Sequence, residues 1–488
     1  MDSPQSTPQQ LNSKAALALF AVFALVIYHL PMRPSTALTV HQSIVDALLA
    51  SNNWGRQALI GSIDYPVLPS LALLISTVIG SFARLDGVRL LQAIVLAWTL
   101  CYFVRAAYYQ HSWFTALIPP LLLFALPQLR NAALTLDPGW IAAVPFAAMF
   151  FHLVCWHANK GLRDLVLAGV NGGFLAFCGP GPLITGLVVV AVLSAEQRRS
   201  TTSMDSSARD GIAPLLWAPI LYCIALWLLW NWLVMDDMLF GLRDLWLRAD
   251  NVRPEQLQQH LDSAIPLLLF CLAPMLILVL KSDLRVIARC LLPTLFILPA
   301  ASVISAALGA NPASLLPLSA VAALAVFTLV AIAGFGHRVP RGCAIMAAAC
   351  CAVYAIHSKQ AFPPDTRADS APAREEILAY IDQFWPDSRT ALYGLRLPAL
   401  YSDPAEKRFI ARLDYQEQAF LDQAKDEQLH ILVPPPDGYF YPLAHSLLAD
   451  LHANGRPWLF LEKQWPGNWQ LWRCVIPPKG ESRLEHLR

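Results

Sequence analysis

Apolar runs recur along this chain at a length that suits a bilayer. They cover residues 15–30, 67–82, 88–104, 113–126, 140–156, 165–177, 183–195, 212–234, 264–280, 286–308, 313–335 and 343–356. A hydrocarbon core about 30 Å thick is crossed by roughly 17–25 apolar residues in a helix. The pattern therefore predicts a polytopic α-helical membrane protein. Pro180 and Pro182 in CGPGP divide what would otherwise be one long run into two. From His357 onward charges and prolines appear, and no later apolar run is long enough to span.

The run at 67–82 decides the topology. If it spans, the basic loops with Lys160/Arg163, Arg198/Arg199/Arg209, Lys281/Arg285 and Arg338/Arg341 all fall outside the membrane. If it lies at the outer interface, those loops fall inside, and the mixed-charge loop 235–263 falls outside together with the C-terminal region. Cytoplasmic loops carry the excess of Lys and Arg. The second arrangement is thus expected, with about 11 transmembrane helices plus an interfacial segment at 65–82.

This reading divides the chain into a cytoplasmic tail (1–14), a transmembrane domain (15–356), a linker (357–370) and an extracytoplasmic α/β domain (371–488). The first outer loop is 31–87. Within it, Val40, Ile44, Leu48 and Ala47 form an apolar stripe at helical spacing, with His41 and Asp46 off it. That is the pattern of an amphipathic helix, 40–50, lying on the membrane. The first apolar run is not followed by an A-x-A cleavage site, so it reads as an uncleaved span with Lys14 on the cytoplasmic side.

In the C-terminal region, RTALYGL and LHILVPPP have the composition of strands. DPAEKRFIARLDYQEQAFLDQAKDE has helical periodicity, with Asp403 as N-cap and Pro404 in the first helical position. YPLAHSLLADLHANG predicts a helix stopped by Gly455. WLFLEKQW and WQLWRCVIP predict a hairpin around Pro-Gly-Asn.

Composition narrows the function classes. Of 488 residues, 56% are hydrophobic and 14% charged, and the net charge of +1 gives no electrostatic basis for nucleic-acid binding. Most of the ten cysteines lie inside apolar runs and read as small hydrophobes. The C-terminal region holds Cys474 alone, so it has no internal disulfide. No Walker A, Rossmann glycine fingerprint or HExxH motif occurs, which argues against a soluble nucleotide-linked donor.

Ionisable residues at membrane level are the candidates for chemistry. Asp137 in LTLDPGW could cap the following helix, with Pro138 in its first position, or act as a general base. Asp64 in IDYPVLP and Asp46 offer further carboxylates at the outer surface, each with a bland reading as cap or solvated residue. Asp236-Asp237 is a pair that could hold a divalent cation or simply sit in a solvated loop. The Gly/Pro break at Cys178–Pro182 could turn backbone N–H groups toward a phosphate, or form a tight turn between spans.

The order of these pieces resembles the GT-C membrane glycosyltransferases of the protein-mannosyltransferase and aminoarabinose-transferase superfamily. The residues that carry the likeness are Tyr65-Pro66-Val67-Leu68-Pro69, Phe82-Ala83-Arg84-Leu85 and Leu136-Asp137-Pro138. It covers roughly the first 200 residues, and beyond them the layout alone matches. The resemblance implies transfer of a sugar from a polyprenyl-phosphate carrier to a lipid, protein or glycan acceptor on the outer face, in a bacterial inner membrane.

The resemblance also implies roles. Asp137 would be catalytic, and Asp64 or Asp46 would substitute for the family's first-loop acid, with Arg84 or Arg130 for its lysine. Tyr65, Arg84, Arg130 and His41 would line the substrate. Beyond the candidate divalent cation, no cofactor is implied. Two positions depart from the family. Its first-loop acid aligns near Ala37-Leu38, and its Lys-Gly pair aligns with Phe177-Cys178-Gly179. These departures support an alternative: a catalytically inactive structural or assembly subunit of a membrane complex, whose partners are other protein subunits.

Overall fold

The computed structural model describes residues 12–34, 38, 41–42, 45, 48–49, 66–110, 113–125, 127–199, 206–235, 237–239, 279, 285–307, 316–335, 374–386, 390–393, 409–412, 417–433, 446–466 and 468–475. The first part is helical. It contains α1 (Ser13–Tyr28), α2 (Val67–Ala83), α3 (Gly87–Gln110), α4 (Trp113–Ala125) and α5 (Pro127–Ala133). A tight 3-10 turn, Pro138–Ala142, then leads into α6 (Ala143–Asn159) and α7 (Leu162–Phe174). A second such turn, Leu175–Cys178, precedes α8 (Pro180–Arg199) and α9 (Ser206–Met235). The last helices of this part are α10 (Arg285–Ala307) and α11 (Leu316–Phe335). Two short strands, β1 (Arg33–Pro34) and β2 (Thr135–Leu136), pair in parallel.

Among the described residues, three helices are long and apolar enough to cross a membrane: Gly87–Tyr109, Pro138–Asn159 and Gly211–Leu233. They make the chain an integral membrane protein. Shorter apolar helices surround them, and the expected spans at 264–280 and 343–356 lie almost wholly outside the described residues. The three long helices occupy different environments. α6 is buried along nearly its whole length, with Phe146, Met149, Phe150 and Val154 sealed in the core. α9 instead exposes Leu221, Tyr222, Trp232 and Leu233. Apolar side chains all around a helix suit a core on one side and lipid on the other.

Small residues set a close helix approach. Gly169 and Gly173 lie one turn apart on α7 and face α9. A Cβ at Gly169 would meet the Leu216 carbonyl at 3.0 Å, and one at Gly173 would meet the Pro219 carbonyl at 2.9 Å. This is the backbone-on-backbone contact that small-xxx-small spacing permits in membranes.

The position of α2 follows from what its ends touch. α1 and α3 run antiparallel, because the Asp86 N–H donates to the Tyr28 hydroxyl (3.2 Å) at one end and Cys101 Sγ approaches the Ala16 carbonyl further along. Gln92 Nε2 donates to the Ala133 carbonyl at 3.1 Å, which puts the β1–β2 pair at the Tyr28 end. α6 leaves that end and α7 returns to it, so Gly179 is there as well. Pro66, just before α2, lies against Gly179, at 3.6 Å from where a Cβ would stand. The C-terminal end of α2 packs on the start of α3 so tightly that a Cβ at Gly87 would meet the Thr77 Cα at 2.6 Å. Both ends of this 17-residue helix, about 25 Å long, therefore sit at the same end of the bundle. α2 lies across that end. Its buried face is Leu73, Ser76 and Gly80, and its outer face is Ile75, Val78, Ile79 and Phe82.

The C-terminal part contains α12 (Arg374–Phe384), α13 (Glu417–Asp426) and α14 (Ser446–Asn454). Its sheet has the order β4-β3-β5-β7-β6, with β3 (Thr390–Tyr393), β4 (Phe409–Arg412), β5 (His430–Val433), β6 (Leu459–Gln464) and β7 (Gln470–Cys474). β3 runs parallel to both β4 and β5, while β7 is antiparallel to β5 and β6. Gly455 ends α14 in the left-handed region at φ +65°. The helix expected over residues 403–427 is corrected here. Phe409–Arg412 is a strand, and the helix begins only at Glu417. The apolar spacing of FIAR suits either element, and pairing with β3 decides it.

Candidate functional site at the Asp137 end of the bundle

Asp137 stands at the junction of β2 and the Pro138–Ala142 turn. Its backbone is extended (φ −137°, ψ 117°), and its Oδ1 accepts from the Gly139 N–H at 2.7 Å. Pro138 takes the first position of the turn, where its missing N–H goes unneeded. The capping role is thus realised. The side chain is also buried, at 5% exposure. Burial pushes the carboxyl up to about 7, with the Gly139 N–H pulling the other way. A carboxylate that titrates near neutrality is suited to accepting a proton.

Four sequence motifs meet around it. Arg33 pairs with Thr135 and Pro34 with Leu136, so the segment after α1 runs alongside the approach to Asp137. The Trp140 indole in DPGW donates to the Ala132 carbonyl at 3.0 Å and fixes the turn. The turn in turn packs against α2, which carries the VLP of the DYPVLP motif. Gly179 of CGPGP, at φ +121° and ψ 173°, holds a conformation that is open to glycine alone and lets Pro66 seat on it.

His41 of the first loop reaches α2. His41 Nδ1 and the Ser70 hydroxyl are 2.8 Å apart, and both side chains are buried. Burial holds the imidazole down, to about 4. Leu38 and Val45 are buried with it, so the inward stripe of this segment includes Leu38, His41 and Val45. This corrects the expected stripe, which left His41 outside. A hydroxyl partner from α2 is what lets an imidazole face inward.

The remaining candidates divide. Arg84 terminates α2 in the left-handed conformation (φ 56°, ψ 38°), and its side chain is exposed. Arg130 is exposed on α5, one turn before β2. Both belong to the Asp137 end. Asp64, Tyr65 and Asp46 lie outside the described residues, as does Asp236. Asp237 Oδ1 accepts from the Leu239 N–H at 2.9 Å in a turn. Among the described residues, no group of three or more His, Cys, Asp or Glu side chains could hold a metal ion. Sequence reasoning missed Ser70, because a serine within an apolar helix carries no local signal of a partner 29 residues earlier.

No family model matches the chain, and no curated protein matches it. Among solved structures it is similar to the crystal structure of ArnT from Cupriavidus metallidurans bound to undecaprenyl phosphate. The identity is 12%, the match covers 96% of this chain and 100% of that one, and the TM-score is 0.41.

Proposed function

We propose that this protein is a membrane glycosyltransferase that moves a sugar from a polyprenyl-phosphate carrier to a hydroxyl acceptor on the outer face of the membrane. The observation that carries the reading is Asp137, a buried carboxylate with its pKa raised to about 7, at the bundle end where β1, α2 and the CGPGP turn converge. In this reading that end faces outward, and α2 rests at the interface with Ile75, Ile79 and Phe82 in the outer leaflet. A lipid-borne donor then reaches the site sideways from the bilayer.

Asp137 takes the proton of the acceptor hydroxyl. The acceptor oxygen bonds to the anomeric carbon, the bond from that carbon to the phosphate oxygen breaks, and its electron pair leaves with polyprenyl phosphate. In this reading Arg84 and Arg130 offset the phosphate charge; both are exposed arginines, at the end of α2 and on α5, which supports that role. The extracytoplasmic placement of the C-terminal domain and the bacterial inner-membrane location belong to the same proposal.

A second reading has its own observation. Leu38, near the position of the family's first-loop acid, is buried in the apolar core, so no acid can act from there. That favours a catalytically silent subunit of a membrane complex. Purified protein supplied with polyprenyl-phosphate sugars separates the two readings. Transfer that disappears in Asp137→Asn supports the enzyme. Absence of turnover, with copurification of other subunits in fixed ratio, supports the silent subunit.

A further inference from the structure

One face of the C-terminal sheet is an ordinary apolar core, with Leu421, Ala424, Ile431, Val433 and Leu451 packed under α13 and α14. The opposite face carries a polar row. Thr390 is directly beside His430 in the parallel β3–β5 register. The antiparallel register that pairs Ile431 with Trp472 brings Arg473 opposite His430, and Arg473 pairs with Phe460 on β6. The row thus reads Thr390, His430, Arg473, Phe460 across four strands. Glu462 ion-pairs with Arg473, at 2.5 Å between its Oε1 and the Arg473 Nε.

The Thr390–His430 half of the row is buried and incomplete. Among the described residues, Thr390 Oγ1 and both ring nitrogens of His430 have no hydrogen-bond partner. Thr390 is fully buried and His430 is 5% exposed. Three orphaned polar atoms side by side are unusual, since buried polar groups are nearly always paired. One aromatic ring packs on His430 and Arg473 together. The Trp385 ring centroid is 5.0 Å from that of His430 and 5.0 Å from the Arg473 guanidinium carbon. More aromatic rings flank it: Tyr380 meets Phe384 at 4.8 Å and Trp465 at 5.7 Å, and both Phe384 and Phe460 are largely exposed.

We propose that this face is a carbohydrate subsite, in which a sugar ring stacks on Trp385 and its hydroxyls pair with Thr390, His430 and the Arg473–Glu462 pair. The donor–acceptor balance selects the ligand class. A hydroxyl offers a donor and acceptors, a neutral imidazole one of each, guanidinium only donors and carboxylate only acceptors. The charges of Arg473 and Glu462 offset each other. An oxyanion would be matched by donors and net positive charge. A polyol presents donors and acceptors alike, and its C–H faces pack on an aromatic ring. Trp385 stands just beyond the C-terminus of α12, held by its N–H on the Ile381 carbonyl at 2.7 Å. The subsite is separate from Asp137 and needs no transfer reaction.

The test uses the full chain in phosphatidylcholine nanodiscs, free of glycoside detergent. D-galactose, D-arabinose, N-acetyl-D-glucosamine and, separately, inorganic phosphate are titrated by calorimetry and saturation-transfer NMR. At least one sugar should bind. Thr390→Val and His430→Leu should each weaken it about 3- to 10-fold, and Trp385→Ala should weaken it at least as much. His430→Gln, which keeps a donor and an acceptor, should retain binding, and thermal melts report whether each variant is folded. Binding of none of the three sugars, binding of phosphate in their place, or sugar binding unchanged in folded His430→Leu would each overturn the assignment.

Discussion

At the Asp137 end of the bundle four buried side chains have hydrogen-bond partners: Asp137 on Gly139, His41 on Ser70, Gln92 on Ala133 and Trp140 on Ala132. Across the C-terminal sheet, Thr390 and His430 are as deeply buried and have no hydrogen-bond partner among the described residues. The first region is finished by its own chain, so what it offers chemistry is a shifted pKa in a fixed place. The second is finished only by something that enters it. Buried polarity thus has two uses, and hydrogen-bond satisfaction tells them apart.

The largest effect expected is on transfer. Asp137→Asn keeps an oxygen to cap the turn but cannot take a proton, so the sugar-transfer rate should fall about 10²- to 10⁴-fold while the melting temperature at neutral pH does not drop. Equal rates in the two proteins would sink the assignment of the base. In the wild type the rate should rise with pH through about 7, as the carboxyl ionises.

Stability should show the same group with a definite sign. The folded Asp137 carboxyl titrates near 7 and the unfolded one near 3.8, so between these values the folded state holds the extra proton and stability falls as pH rises. His41 works in reverse. It titrates near 4 when folded and near 6.5 when unfolded, so the unfolded state holds the extra proton between those values and stability falls as pH drops. The two slopes oppose each other between about pH 4 and 6.5. Melting temperature over that range should therefore rise with pH in Asp137→Asn, fall with pH in His41→Gln, and change least in the double variant. Parallel profiles in all proteins would remove both groups from the account.

The contrast between satisfied and orphaned hydroxyls is sharpened by a matched pair. Ser70→Ala leaves the buried His41 Nδ1 without its hydroxyl and should destabilise by about 1–3 kcal/mol. Thr390→Val exchanges an unpartnered hydroxyl for a methyl of like shape and should be neutral or stabilising without ligand. Denaturation in the same nanodiscs compares them. A large loss in Thr390→Val would reveal a hydrogen bond that the static structure does not contain.

Much of the bundle was legible because apolar run length and proline placement are local properties. DPG announces its own turn, and CGPGP announces its own break. The charges of distant loops bear on α2 only through topology, whereas its end contacts on Gly179 and Gly87 come from residues far along the chain and from the next helix. What stayed hidden depends on partners far away in sequence. His41 looked like an outward residue because its hydroxyl partner comes from another helix. FIAR looked helical because only pairing with β3 makes it a strand. The row on the second face of the C-terminal sheet exists only once four strands are in register.

The smallest effect separates structure from substrate at Arg84. Arg84 and Asn468 both hold left-handed backbone, at φ 56° and φ 63°. Asparagine visits that region readily, and arginine does so at a steric cost. Arg84→Gly should therefore raise stability by less than about 1 kcal/mol, because relief of the cost is partly offset by the freer unfolded chain. Asn468→Gly should change it less, since Asn468 also accepts from Gln464 at 3.0 Å through the side chain it would lose. Activity then decides the role of Arg84. If its guanidinium offsets the carrier phosphate, Arg84→Gly is more stable and slower, with the loss appearing first in the KM for the lipid donor. If it only ends α2, the variant is more stable and equally fast, and Arg130 is left as the cation to test.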